Sequence, residues 1–308
     1  MRHFILFFIL LLIVSCSQVQ PPKIDEEAAL QTLKILSADD MQGRRTGTAG
    51  NAKARAYLLE QIKALNVNKV GPAYEHVFKF TTGEEGEPQT EVVGTNLLFR
   101  LDGAANTGKT IVISAHYDHI GVNDGEIFNG ADDNASGVVG VLAIAEYFTS
   151  NPPQNDIIFA LFDAEEMGLQ GARAFVRNLE MIDPNIAFNI NFDMLSRSEK
   201  NELYVAGAFH RPYLKPLIND IADQTPVTLL MGHDDPALGS DDWTQASDQG
   251  PFHNADIPFL YFGVEDHPHY HHASDEYDSV PIDFFIRSIQ SVVIAAREVD
   301  SQLTAVEK

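Results

Sequence analysis

The sequence predicts an α/β fold in three layers, with helices on both faces of a mostly parallel, mixed central sheet. Two observations lead there. Short apolar runs rich in Ile, Val and Phe, at Ile111–Ser114, Ile157–Phe162, Ile186–Phe192 and Pro258–Phe262, lack strict alternation, as strands buried on both faces do. Helical segments alternate with these runs, the order expected of a sheet wound with helices. At 308 residues, 44% of them apolar, the chain can bury one large core or two small ones. No internal repeat, low-complexity tract or second domain boundary is visible.

Taken in order, Arg2 precedes an uninterrupted apolar run from Phe4 to Val14. That is about half the roughly 20 residues a spanning helix needs, so it reads as the core of a signal peptide. Ile13-Val14-Ser15-Cys16 resembles a bacterial lipobox, which implies removal of residues 1–15 and lipid attachment to Cys16. An uncleaved anchor or a buried strand is the alternative. Residues 16–25, with Pro21-Pro22, read as a tether, and 26–308 as the folded domain. Helices are expected over Glu26–Leu36 and Ala52–Leu65, the second with Leu58, Ile62 and Leu65 on one face. Gly43, Gly47 and Gly50 mark a loop between them, and Thr81–Glu91 a hairpin tip or surface loop. Beyond it, helices are expected over Gly137–Tyr147, Gly171–Leu179, Arg211–Ala222 and Ile282–Val299.

The balance of 21 Lys plus Arg against 44 Asp plus Glu, a net charge of −23, disfavours nucleic acid and anionic lipid as partners. Alongside 11 His, so many carboxylates suit cations. One Cys excludes a disulfide framework and a Cys-based zinc site. Gly103 to Thr110 matches the phosphate-binding P-loop letter for letter, but Thr110 leads into an expected strand instead of the helix whose N-terminus would face phosphates, so nucleotide binding is not expected. There is no Gly-x-Gly-x-x-Gly, no Gly-x-Ser-x-Gly and no His-Glu pair, which removes the dinucleotide, serine-hydrolase and His-Glu-x-x-His signatures. Asn123-Asp124-Gly125 fails as a calcium loop, because Ala131 stands where Glu is needed.

The informative residues follow the expected strands. His116-Tyr117-Asp118 follows the first, Asp163-Ala164-Glu165-Glu166 the second, Asp193 the third and His267–His272 the last. Ligands of open α/β sheets bind at the carboxyl ends of the strands. Taken singly, these residues have plain readings: a satisfied core His, a helix cap at Asp132-Asp133-Asn134, an acidic first turn at Glu165-Glu166. Taken together they would place mutually repelling carboxylates on one edge, which cations would neutralise.

The series His-Tyr-Asp-His (116–119), Gly-Ala-Asp-Asp-Asn-Ala-Ser-Gly (130–137), Asp-Ala-Glu-Glu-Met-Gly (163–168), Asn-Phe-Asp-Met (191–194) and Tyr-His-x-x-Ser-Asp-Glu resembles the co-catalytic di-zinc aminopeptidases of the zinc exopeptidase superfamily, over roughly residues 30 to 300. The resemblance implies two zinc ions per chain, with His116 and Asp193 on one, Glu166 and His271 on the other, and Asp133 bridging. It makes Glu165 the general base and Asp118 the residue that orients His116. It also implies a cis peptide at Asp133–Asn134. Asp133 is preferred to Asp132 as the bridge by alignment, and His271 to His272 because Asp275 lies four positions on, as in relatives. Ser247-Asp248-Gln249 departs from the Ser-Asp-His of many relatives, so no role is carried to Gln249.

The resulting expectation is an exported zinc aminopeptidase acting on peptides. Its rivals are a glutaminyl cyclase-like acyltransferase, a carboxypeptidase or dipeptidase on the same metal site, and a binding module that has lost catalysis. A carboxypeptidase would need a cation for the terminal carboxylate, for which Arg173, Arg177 and Arg197 are the candidates. Tyr270, Met167, Met194 and Phe252 are candidates for an apolar substrate pocket. The expected address is the bacterial cell envelope, lipid-anchored through Cys16 and facing the periplasm; Ser17, where an Asp would retain the protein, points to the outer membrane.

Overall fold

The computed structural model describes residues 21–83 and 89–303. The expected leader and Cys16 lie outside the described residues, as does the first half of the tether, residues 16–20.

Eleven strands are described: β1 (Asn68–Lys69), β2 (Glu75–Thr82), β3 (Thr90–Leu101), β4 (Thr110–His116), β5 (Gly121–Asn123), β6 (Glu126–Phe128), β7 (Asp156–Phe162), β8 (Ile186–Phe192), β9 (Glu202–Ala206), β10 (Thr228–Met231) and β11 (Phe259–Gly263). All but β5 and β6 form one sheet in the order β1-β3-β7-β4-β8-β11-β9-β10, with β2 pairing β3. The four apolar runs form its centre, β7-β4-β8-β11, and pair in parallel throughout. Antiparallel β3 on one side and β9 on the other make the sheet mixed.

The helices are α1 (Glu26–Leu36), α2 (Ala49–Ala64), α3 (Gly137–Ser150), α4 (Gln170–Arg177), α5 (Leu179–Ile182), α6 (Lys215–Ala222), α7 (Gln249–Asn254) and α8 (Ile282–Gln302). Alternation along the central strands sends Ile111, Ile113, Phe188, Ile190 and Phe192 into one core with α1, α2, α3, α6 and α8. On the opposite face Val112, Ile158, Ala160 and Phe162 meet α4 and α7 through Ala172, Phe175 and Phe252. The sandwich is therefore α/β/α, and the second face is the thinner one.

Two expectations need correction. Gly50 belongs to α2, not to the preceding loop, because Thr48 caps the helix by accepting from the Asn51 N–H at 3.3 Å. It is a close-approach glycine: a Cβ there would stand 2.0 Å from the Met41 carbonyl oxygen. The segment expected to be one helix over Arg211–Ala222 opens as a tight turn at Pro212–Leu214 before α6 begins. The P-loop look-alike is a loop between β3 and β4, and Thr110 enters the strand.

Candidate active site

Because the four central strands are parallel, their carboxyl ends share one edge. β4 ends on His116, β7 runs into Asp163–Glu166, β8 into Asp193, and β11 into the loop that carries His271. The turn Ala131–Ser136, leading into α3, supplies Asp132 and Asp133, and the Asp133–Asn134 peptide is cis.

Asp133 divides the cluster into two halves. Its Oδ1 lies 3.4 Å from His116 Nε2, and its Oδ2 lies 3.2 Å from His271 Nε2. In the first half His116 Nε2 also faces Asp193 Oδ1 at 3.3 Å and Glu165 Oε2 at 4.0 Å. In the second, His271 Nε2 faces Glu166 Oε2 at 3.7 Å. Two donor atoms on one tetrahedral zinc ion with bonds of about 2.0–2.1 Å stand about 3.3 Å apart. The His116 and His271 separations suit that geometry in both halves.

Neighbouring groups fix these side chains. His116 Nδ1 is 3.2 Å from the Asp118 carbonyl, which only accepts, so that nitrogen donates and Nε2 is turned to the cluster. The Asp118 carboxylate stands farther off, 3.7 Å from Nδ1, and accepts from the Glu165 backbone N–H at 3.0 Å. Asp132 turns away from the cluster and is engaged by the Ser196 N–H at 2.7 Å, Ser136 and His267. Asp275 accepts from the backbone N–H groups of both Asp132 and Asp133, holding the turn.

Beneath the cluster lies Arg44, fully buried, which donates to the carbonyls of Leu36, Tyr117, Asn129 and Gly130. One guanidinium thereby joins the loop after β4 to the turn that carries Asp133. Burial lowers its pKa to about 10, against the pull of Asp133 and Asp118. Thr46 and Asn51 donate to Asp163 Oδ1, tying the N-terminal segment to the end of β7.

So many acids in a small volume hold one another's protons. Burial, then the charge of Glu166, raises Asp133; burial, against the pull of His116, raises Glu165 well above the carboxylate range, with Asp193 and Asp248 adding to the rise. Burial alone would lower His116, but Asp193 and Glu165 raise it well above its ordinary value. Asp248, fully buried with neither oxygen hydrogen-bonded among the described residues, is pushed up to about 8 by burial. An acid cluster of this kind is a host for cations.

Sequence reasoning named every member of the two halves except His119. That side chain is buried, its Nδ1 lies 2.7 Å from Glu166 Oε1, and burial lowers it to about 4. The signal was present in His-Tyr-Asp-His, but only its first and third residues drew a role. A cavity of about 520 Å³ opens on the cluster. Met194 and Tyr270 line it as expected, joined by Leu169, Trp243 and Tyr261. The other two pocket candidates are core: Met167 packs with Phe78 and Ala174, and Phe252 with Phe162 and Phe175. Gln249 bonds to Asn191 and the Trp243 carbonyl, a tie between β8 and the cavity wall. Arg197 is engaged by Asp275 and Ser279, whereas Arg173 reaches the cavity rim.

Among solved structures, the chain is similar to a zinc aminopeptidase from Bacillus subtilis, with a TM-score of 0.72 at 18% identity over 91% of this chain and 96% of that one. The LapA aminopeptidase of Legionella pneumophila gives 0.67 at 20% identity, covering 90% and 72%. A glutaminyl cyclase from Fimbriiglobus ruber gives 0.67 at 16%, covering 91% and 97%. At such identities these likenesses speak for the fold. Curated relatives include vacuolar membrane proteases of Schizosaccharomyces pombe, 26% identical over 60% of this chain and 21% of the relative, and Schizosaccharomyces japonicus, 30% identical over 51% and 19%. The chain spans about a fifth of the length of these relatives. They correct the expected address: they are fungal vacuolar proteins, and the bacterial outer-membrane location, read only from the leader, is not supported. Residues 96–295, which include every member of both halves, match the model of peptidase family M28, so the chain belongs to that family.

Proposed function

We propose that the chain is a zinc aminopeptidase that holds two ions per molecule and removes the N-terminal residue of peptides. The observation that carries this reading is Asp133, whose two oxygens each face a different histidine. His116 and Asp193 would hold one ion, His271 and Glu166 the other, with Asp133 bridging. The ions, when bound, supply Lewis acidity on both sides of the attacked carbonyl.

Glu165 then takes the proton of the attacking water and passes it to the leaving amine, a role its cavity-facing position and raised proton affinity suit. Asp118 keeps Glu165 in place through the backbone N–H and His116 through its carbonyl. The acidic wall of the cavity, with Asp266 at its rim, receives the substrate's N-terminal amine. Glutaminyl cyclases share the fold, and their reaction is distinguished by release of ammonia from an N-terminal glutamine without loss of a residue.

The test is a pair of capped peptides with the zinc-loaded protein. N-acetylation abolishes hydrolysis and C-terminal amidation leaves it largely unchanged; the opposite pattern turns the assignment to a carboxypeptidase. As part of the same reading, residues 1–15 are a removed leader, Cys16 carries a lipid that attaches the chain to a membrane, 16–25 are the tether and 26–308 the catalytic unit. Loss of lipid label on Cys16→Ser with peptidase activity intact tests that division.

A further inference from the structure

His119 and His271 approach opposite oxygens of one carboxylate. His271 Nε2 faces Glu166 Oε2 at 3.7 Å, while His119 Nδ1 lies 2.7 Å from Glu166 Oε1. The shorter distance is that of a charge-assisted hydrogen bond. It is well under the roughly 3.3 Å that separates two donors on one tetrahedral zinc ion. His119 is also 3.7 Å from Asp133 Oδ2, behind His271 at 3.2 Å.

The ring is buried and packed closely on one side. Gly130 adopts a φ of +54°, and a Cβ on it would stand 2.5 Å from His119 Cδ2, so the ring lies against bare backbone. Its other nitrogen, Nε2, is buried without a hydrogen-bond partner among the described residues. Nδ1 is thus the one nitrogen with a hydrogen-bonding task, and a carboxylate oxygen requires that it donate.

We propose that His119 is a positioning residue for the second metal: its Nδ1–H holds Glu166 Oε1 so that the carboxylate offers Oε2 alone, beside His271 Nε2 and Asp133 Oδ2. This rests on the two-zinc reading above. It gives the four residues His116–His119 a double task, with a donor for one half at the first position and the brace of the other half at the last. Partners that orient a metal ligand contribute about 10–100-fold in metal affinity, so the effect is measurable without any substrate.

The experiment is zinc titration by calorimetry of the metal-free wild type, His119→Leu and His119→Asn, with X-ray absorption on the fully loaded wild type. His119→Leu weakens the second zinc by about 10–100-fold and leaves the first nearly unchanged. His119→Asn, whose amide N–H stands near the place of Nδ1–H, recovers most of the loss. Absorption on the wild type shows two imidazoles shared between two zinc ions. Three imidazoles would make His119 a ligand and overturn the proposal without need of a variant. Equal zinc affinities in all three proteins, or an Asn variant as weak as the Leu variant, would also overturn it while leaving two metals in place. A wild type that binds one zinc would overturn the two-zinc reading and this role with it.

Discussion

Asp248 offers a stability measurement on the metal-free protein. It is fully buried, neither oxygen has a hydrogen-bond partner among the described residues, and burial holds its pKa at about 8 against an ordinary 3.8. An acid whose folded pKa is raised keeps a proton that the unfolded chain releases. Its contribution is therefore fully present below about pH 4 and is lost as pH rises toward 8. The slope is about 1.4 kcal/mol per pH unit for one proton, or about 4 kcal/mol between pH 5 and 8. Asp248→Asn removes the titration and leaves a neutral amide of the same shape. Urea unfolding at pH 5, 6.5 and 8, without zinc, gives the two curves. The wild type should lose more stability with rising pH than the variant, by up to about 4 kcal/mol over this range. Other raised acids, Glu165 and Asp163 among them, titrate in both proteins; because Asp248 adds to the rise of Glu165, the difference between the curves reports Asp248 together with its effect on Glu165. Parallel curves would refute the argument, since they would mean that Asp248 is ionised and partnered in the native state.

Glu165→Gln keeps the shape of the side chain but cannot take a proton, so turnover should fall by about 10²–10⁴ while zinc content, measured by atomic absorption, is unchanged. Asp133→Ala should lose more zinc than any other single change in the cluster, because its two oxygens face both halves; dialysis against a graded chelator ranks the variants. Arg44→Met fills similar volume but leaves the buried carbonyls of Leu36, Tyr117 and Asn129 without a donor among the described residues, while Gly130 keeps the Ala135 N–H, and each unmade bond costs about 1–3 kcal/mol. The chain should therefore unfold at markedly lower urea; an unchanged midpoint would show that water replaces the guanidinium.

How much was legible follows from how local each signal is. β8 matches its apolar run residue for residue, and α1 its expected span, because Asp25 caps the helix and Ser37 ends it. Seven strands were not named from the sequence, β1, β2, β3, β5, β6, β9 and β10; of these β9 and β10 are short and carry polar positions, and their place is set by pairing with β11 and with each other. α7 was missed for a similar reason: only Phe252 shows its apolar side, and its Gln249 is turned inward to Asn191. Met167 and Phe252 are near site motifs in sequence, yet Met167 packs with Phe78 and Ala174 and Phe252 with Phe162 and Phe175, because packing follows the face a side chain occupies and not its distance along the chain.

By itself the sequence determined the α/β class, the four central strands and the chemical identity of the cluster, since period, burial and residue type are local properties of a chain. Only the tertiary structure decided which oxygen faces which nitrogen. Asp132 and Asp133 are neighbours of the same type, and His116 and His119 lie one short loop apart. What separates their tasks is the direction in which the backbone turns: Asp132 out to Ser196 and His267, Asp133 in to both histidines, and His119 against Gly130 so that it meets Glu166. The contacts of His119 with Glu166 and of Asp132 with Ser196 and His267 join segments 47 to 135 residues apart, which the pattern of the sequence does not encode locally.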